Sequence, residues 1–135
     1  MSINLCFKIF LLLVEINLRV FKRRIFQIIG KVSVKWHLNH QPVDCFIAIE
    51  DKKGIVGFAC VDTTFKGFFG SLGVKDSMRG RGIGRALTLM GLQELRYKGY
   101  QYAIVGGTRI PDFYRDVCGA IVIQGSCPSV YKGML

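Results

Sequence analysis

The sequence is short of acids. Nine aspartates and glutamates stand against nineteen lysines and arginines, a formal net charge of +10. That imbalance disfavours cationic partners and points to an anion: nucleic acid, acidic lipid or a phosphorylated small molecule. Histidine is scarce as well. His37 and His40 sit beside Trp36 with no partner at ligand or triad spacing, so they read as surface or packing residues. Cys6, Cys45, Cys60, Cys118 and Cys127 form no CxxC pair, which argues against a structural metal site and a disulfide framework. The thiols suit a reducing, cytoplasmic setting. No clean apolar run reaches the roughly 20 residues that a bilayer core demands, and no basic leader with a small-residue cleavage site marks a secretory signal.

Half of the 135 residues are hydrophobic and 21% are charged, so the composition is that of a folded chain rather than a disordered one. The length suits one domain over residues 1–135. Residues 1–30 read as one long apolar helix, with Lys8, Glu15, Arg19 and Lys22 forming a narrow polar stripe. Such a helix would pack on the domain's own sheet or on a second subunit. A membrane-surface contact through "FKRR" at 21–24 is the less favoured reading.

Residues 31–44 contain Asn39 and Pro42 and read as a connector. A core of strands and helices is expected over 45–135. "CFIAIE" (45–50), "IVGFACVDTTF" (55–65) and the glycine-rich "GFFGSLGV" (67–74) form an antiparallel meander, with the glycines of the third strand marking a bulge or close backbone approach. Ile83, Leu87, Met90 and Leu95 then recur at helical spacing, and Gly99 is placed to cap that helix in the left-handed conformation. A strand at 100–107, a short helix from Pro111 to Val117 and a strand at 119–125 follow. The fold class is α+β: a mostly antiparallel mixed sheet with one parallel strand-helix-strand crossover and helices on both faces.

The chemistry concentrates in "LGVKDSMRGRGIGRAL" (72–87). A nucleotide-triphosphate loop needs GK followed by Ser or Thr, and a dinucleotide fingerprint needs GxGxxG; neither is present. Instead Arg79, Gly82 and Gly84 satisfy [QR]xxGx[GA] where a strand runs into a helix. This segment resembles the pyrophosphate loop of the GNAT superfamily of acetyl-CoA-dependent N-acetyltransferases. The physics agrees: a helix start offers unpaired amides and positive potential, glycines allow close approach, and Lys75, Arg79, Arg81 and Arg85 add charge. The nucleic-acid alternative, "RGRG" as an RNA-contacting tract, lacks an accompanying aromatic array.

The resemblance implies acetyl-CoA as cosubstrate and an amine acceptor, with no nucleic acid as partner. On that mapping Leu72 and Val74 offer main-chain groups to the pantetheine arm, Arg79, Gly80, Arg81, Gly82, Ile83, Gly84 and Arg85 bind the diphosphate, and the strand at 102–107 splays away to admit the arm. "FYRDVCGA" (113–120) is similar to the family's later motif, which makes Tyr114 the acid that protonates the departing thiolate, although it precedes Gly119 by five residues where four is usual. Glu50 and Asp62 are the acids best placed to be a base, and neither is assigned. Cys118 and Cys127 lack a paired histidine and are not read as nucleophiles. A first strand before Cys45 is not evident, so the chain reads as a shortened member or one that dimerises through its N-terminal helix. A non-catalytic CoA-binding or assembly module of the same fold is the alternative.

Overall fold

The computed structural model describes residues 10–15, 32–36 and 45–126. Its centre is a seven-stranded mixed sheet in the order β2-β3-β4-β5-β6-β1-β7. The strands are β1 (Phe10–Glu15), β2 (Val32–Trp36), β3 (Cys45–Glu50), β4 (Gly54–Val61), β5 (Phe68–Val74), β6 (Tyr102–Thr108) and β7 (Ile121–Val122). Helix α1 (Ile83–Tyr97) joins β5 to β6, and α2 (Pro111–Cys118) joins β6 to β7. Only β5 and β6 run parallel; all other neighbours are antiparallel.

Two expectations are corrected. The single helix over 1–30 is interrupted, because Phe10–Glu15 is a strand paired antiparallel to β6 on one side and β7 on the other. "FLLLVE" is a continuous apolar run, which periodicity alone cannot assign, and a strand flanked on both edges favours apolar residues on both faces. The remainder of that stretch, including Lys8, Arg19 and Lys22, lies outside the described residues, as do His37, His40, Cys6 and Cys127. The second correction concerns the connector. Val32–Trp36 forms β2, paired antiparallel with Phe46–Glu50 of β3, so a strand does precede Cys45. Its signal is the alternation Val32, Val34, Trp36, which the neighbouring turn residues Asn39 and Pro42 obscured.

One side of the sheet packs on α1. Phe46 and Ala48 of β3, Val56, Ala59 and Val61 of β4, and Phe69 of β5 bury against Ile83, Leu87, Leu89, Leu92 and Leu95. Gly91 lets α1 come close: a Cβ there would stand 2.5 Å from the Phe69 ring. The helix ends as the sequence signals. Gly99 has φ +99°, its N–H donates to Arg96 O at 3.0 Å, and Tyr100 N–H donates to Leu95 O at 3.1 Å, the paired bonds of a Schellman cap. Gly119, at φ +70°, closes α2 in the same hand.

Candidate functional site

The segment from Lys75 to Arg85 anchors its first part through main-chain bonds from Lys75, Met78 and Arg79 and then enters a helix. A single 3-10 turn, Asp76–Met78, drops the fully buried Met78 into the core and anchors the loop. Gly80 (φ +75°) and Gly82 (φ +80°) then take left-handed conformations that cost a residue with a Cβ about 1–2 kcal/mol. Gly82 is the N-cap of α1 and supplies no side-chain cap. The first helical bond is Ala86 N–H to Gly82 O at 2.9 Å, so the amides before it have no partner within the helix. The first turn holds no acid. Partial positive charge at this helix end is therefore uncancelled locally.

Those amides face a cleft of about 570 Å³, lined by Leu72, Gly73, Val74, Met78, Arg79, Gly80, Gly82, Ile83, Gly84, Arg85, Ile110 and Phe113. Its existence follows from how β5 and β6 separate. The two strands are in register only at Phe68↔Ile104 and Phe69↔Val105, with Ile104 N–H donating to Gly67 O at 3.0 Å. Beyond Phe69, β5 bulges: Ala59 and Val61 of β4 face Leu72 and Phe69, so two residues of β5, Gly70 and Ser71, oppose the single Cys60. The bulge bends β5 away and leaves a gap shaped like a V.

Main-chain directions in the gap can be read from one bond. Lys75 N–H donates to Val56 O at 2.8 Å, so Lys75 and, by strand alternation, Gly73 address β4. Leu72 and Val74 then direct their N–H and C=O groups to the opposite side, where β6 has withdrawn.

The structure brings Leu72, Val74, Arg79, Gly80, Gly82, Ile83, Gly84 and Arg85 together on one cleft and leaves the Arg81 side chain out of it. Arg81 Nη1 lies 3.5 Å from Glu50 Oε2 and donates to Met78 Sδ at 3.3 Å. Lys53 approaches the same two groups, at 3.8 Å from the carboxylate and 3.3 Å from the sulfur. Glu50 Oε2 is buried without a hydrogen bond, so it is held by charge at distances or angles unsuited to one. Arg79 pairs with Asp76 at 2.8 Å, both side chains being exposed. Among the described residues Arg85 meets no carboxylate, which makes it the cleft's available cation.

Asp62 lies apart from the cleft. Its carboxylate accepts from Gly67 N–H at 2.7 Å and pairs with Lys98 at 3.2 Å, with 6% of the side chain exposed. It pins the β4–β5 turn to the end of α1. Glu50 is likewise absent from the lining.

Tyr114 is buried. Its ring packs edge-on against Phe69 at 6.1 Å and Phe113 at 5.0 Å, and of these only Phe113 is among the residues that line the cleft. Burial, with a smaller contribution from Cys118, pushes its phenol up to about 12. The Cys118 thiol donates to Tyr114 O at 3.0 Å and is itself pushed up to about 11 by burial, against a weaker lowering by the Ala120 amide. It is a neutral thiol at ordinary pH, which removes its nucleophilic form. Sequence reasoning missed Met78, Ile110 and Phe113 as cleft residues. Phe113 carried a signal, an aromatic on the first turn of α2 opposite the glycine loop; the others are placed by tertiary packing.

Among the described residues there is no group of three or more His, Cys, Asp or Glu able to hold a metal ion, and no helix long and apolar enough to cross a membrane.

A mixed sheet parted beside an uncapped helix start, with glycines and an arginine at the mouth, defines an α+β domain with a cleft at its centre. The chain belongs to the GNAT acetyltransferase-domain family, whose model matches residues 42–117, more than half of its length. No match was found among curated proteins. Among solved structures, the chain is similar to a GCN5-related glucosamine N-acetyltransferase region of a fungal multi-domain GH3 β-N-acetylglucosaminidase. The TM-score is 0.63 at 14% identity, over 85% of this chain and 20% of that one. It is also similar to a GCN5-related N-acetyltransferase from Sphaerobacter thermophilus, with 31% identity, TM-score 0.48, and coverage of 58% of this chain and 27% of that one. The chain thus spans about a quarter or less of the length of these relatives. The first likeness bears on the fold alone.

Proposed function

We propose that this chain is an N-acetyltransferase that moves an acetyl group from acetyl-CoA to an amine of a small molecule or protein by direct attack. The observation that carries the reading is the uncapped start of α1 opening on a cleft whose other wall is unpaired main chain of β5. The donor set fits the cosubstrate. Amides at Gly82–Arg85, with the Arg85 and Arg79 guanidiniums, suit a diphosphate, and Leu72 and Val74 present amide-pairing groups to an arm that itself contains amides.

When bound, acetyl-CoA supplies an activated acyl thioester. The chain's own residues do the rest. The α1 amides and Arg85 bind and orient the anionic end. Leu72 and Val74 align the arm in the gap, and the Val74 N–H donates to the carbonyl oxygen as negative charge builds there. Tyr114, protonated throughout the working range, donates toward the departing sulfur. Its phenol, near 12, is a weaker acid than a thiol at roughly 8.5, so its main contribution is a hydrogen bond to developing charge, with the proton passing late.

The test is calorimetric titration of the full chain with coenzyme A and acetyl-CoA, followed by thiol release across an amine panel. Binding together with amine-dependent thiol release supports the reading. Absence of binding overturns it, and binding without turnover on any amine reduces it to a CoA-binding module.

A further inference from the structure

Cys45 and Cys60 are far apart in sequence but directly opposite one another in the β3–β4 ladder. Neither is in a disulfide. Two bonds at the ends of β4 fix which kind of pair they form. Lys75 N–H donates to Val56 O at 2.8 Å, and Asp62 N–H donates to Phe68 O at 2.9 Å. Strand alternation between these points turns the Cys60 N–H and C=O toward β5, so Cys45 and Cys60 are a non-hydrogen-bonded pair. Residues so paired have Cα atoms about 4.5 Å apart and the closest side chains in an antiparallel ladder. That spacing falls within the roughly 4.4–6.8 Å window that a disulfide spans.

Accessibility follows from the pleat. Ala59 and Val61, either side of Cys60, and Phe46, next to Cys45, are fully buried toward α1. Both thiols therefore project from the opposite face of the sheet, where each is half-buried. The remaining described thiol, Cys118, lies on α2, outside the β3–β4 ladder.

We propose that Cys45 and Cys60 are a redox modification site that closes reversibly to a cross-strand disulfide when the protein meets hydrogen peroxide. One thiolate attacks the peroxide O–O bond, giving a sulfenic acid and, after protonation, water. The second thiolate attacks that sulfur, the S–S bond forms, and hydroxide leaves to become the second water. Two S–H bonds are lost, the peroxide takes up two electrons, and a thiol reductant reverses the change. The bond joins β3 to the residue of β4 that faces the bulge of β5, so it ties down the strand on which the bulge is registered.

The experiment treats the folded full chain with hydrogen peroxide, blocks residual thiols with N-ethylmaleimide and maps peptides by mass spectrometry. The expected result is a peptide joining Cys45 to Cys60, lighter by two hydrogens, that disappears on reduction with dithiothreitol. In Cys45→Ser the joined peptide is lost and Cys60 is trapped by dimedone as a sulfenic acid. Recovery of both cysteines as maleimide adducts while other cysteines oxidise overturns the proposal. So does a bridge from Cys60 to any other cysteine, or a Cys45–Cys60 bridge that forms only after unfolding in urea.

Discussion

The Arg81 guanidinium stands 3.5 Å from the Glu50 carboxylate and turns its side chain away from the cleft that its neighbours Gly80 and Gly82 line. An arginine within the glycine loop thus fastens it to the β3–β4 hairpin, while Arg85, in the first turn of α1, lines the cleft.

The two arginines should therefore separate in binding. Arg85→Ala is expected to weaken coenzyme A about tenfold and to flatten the salt dependence of binding, by losing one charge-assisted contact of about 1.5 kcal/mol. Arg81→Ala should change affinity less than threefold. Its pair is partly exposed, at 44% and 18% of the two side chains, so the stability loss should stay at or below about 1 kcal/mol. Calorimetry at two salt concentrations, with urea melts, measures both.

The glycines of the loop should separate as well. Gly82 sits at φ +80° as the N-cap, and Gly82→Ala is expected to lose at least tenfold in coenzyme A affinity and about 1–2 kcal/mol of stability. Gly84 is different. A Cβ there would meet Val74 Cγ2 at 3.5 Å and Phe113 Cζ at 3.6 Å, ordinary contact distances, so Gly84→Ala should fold and bind within about threefold of the parent, within the few tenths of a kcal/mol of a tolerated surface change.

Tyr114→Phe should lower kcat by about 10²-fold or more with little effect on the acetyl-CoA KM, the size of a lost acid–base contribution. A fall below threefold would return Tyr114 to a packing role. The same burial sets the alkaline limit of the fold. Folded Tyr114 and Cys118 hold their protons to about 12 and about 11, against ordinary values of 10.0 and 9.0. Above pH 9 the unfolded chain therefore binds fewer protons than the folded one. Stability is then fully present below pH 9 and is lost as pH rises toward 12. Urea midpoints at intervals from pH 8 to 11 should fall along this course, and less steeply in Tyr114→Phe.

Gly91→Ala should destabilise even though alanine is the better helix former by about 1 kcal/mol. The added Cβ would lie 2.5 Å from the Phe69 ring, and overpacking of this kind costs about 1–3 kcal/mol. In a Phe69→Leu background the same change should become neutral or stabilising, a sign reversal that thermal melts of the four variants would reveal.

The centre of the molecule was legible because its signals are local. The spacing of Ile83, Leu87 and Leu95, the cap at Gly99, and the glycine–arginine loop between β5 and α1 each follow from a few neighbouring residues, and the glycine-rich β5 carries the bulge its composition suggested. Phe10–Glu15 was not legible. Its assignment depends on β6 and β7 lying on either side, information that no window of sequence around it contains. Val32–Trp36 was readable in principle from its alternation, but the run is short and sits beside turn residues. In the site, the glycines were found by pattern, whereas the orientation of Arg81 depends on Glu50 and Lys53, far away in the chain. The facing of Cys45 and Cys60 is a fact of register, and spacing rules for cysteines do not reach it.

The parting of β5 from β6 after Phe69 gives the sheet an unpaired edge in its interior, besides the borders at β2 and β7. Another protein's strand joins a sheet by sliding in sideways within its plane, and here β4 and β1 block both approaches. A slim, flexible molecule entering through the plane meets no such obstacle. The same seam that would make an outer strand sticky toward other chains is, in this position, a slot that discriminates by thickness.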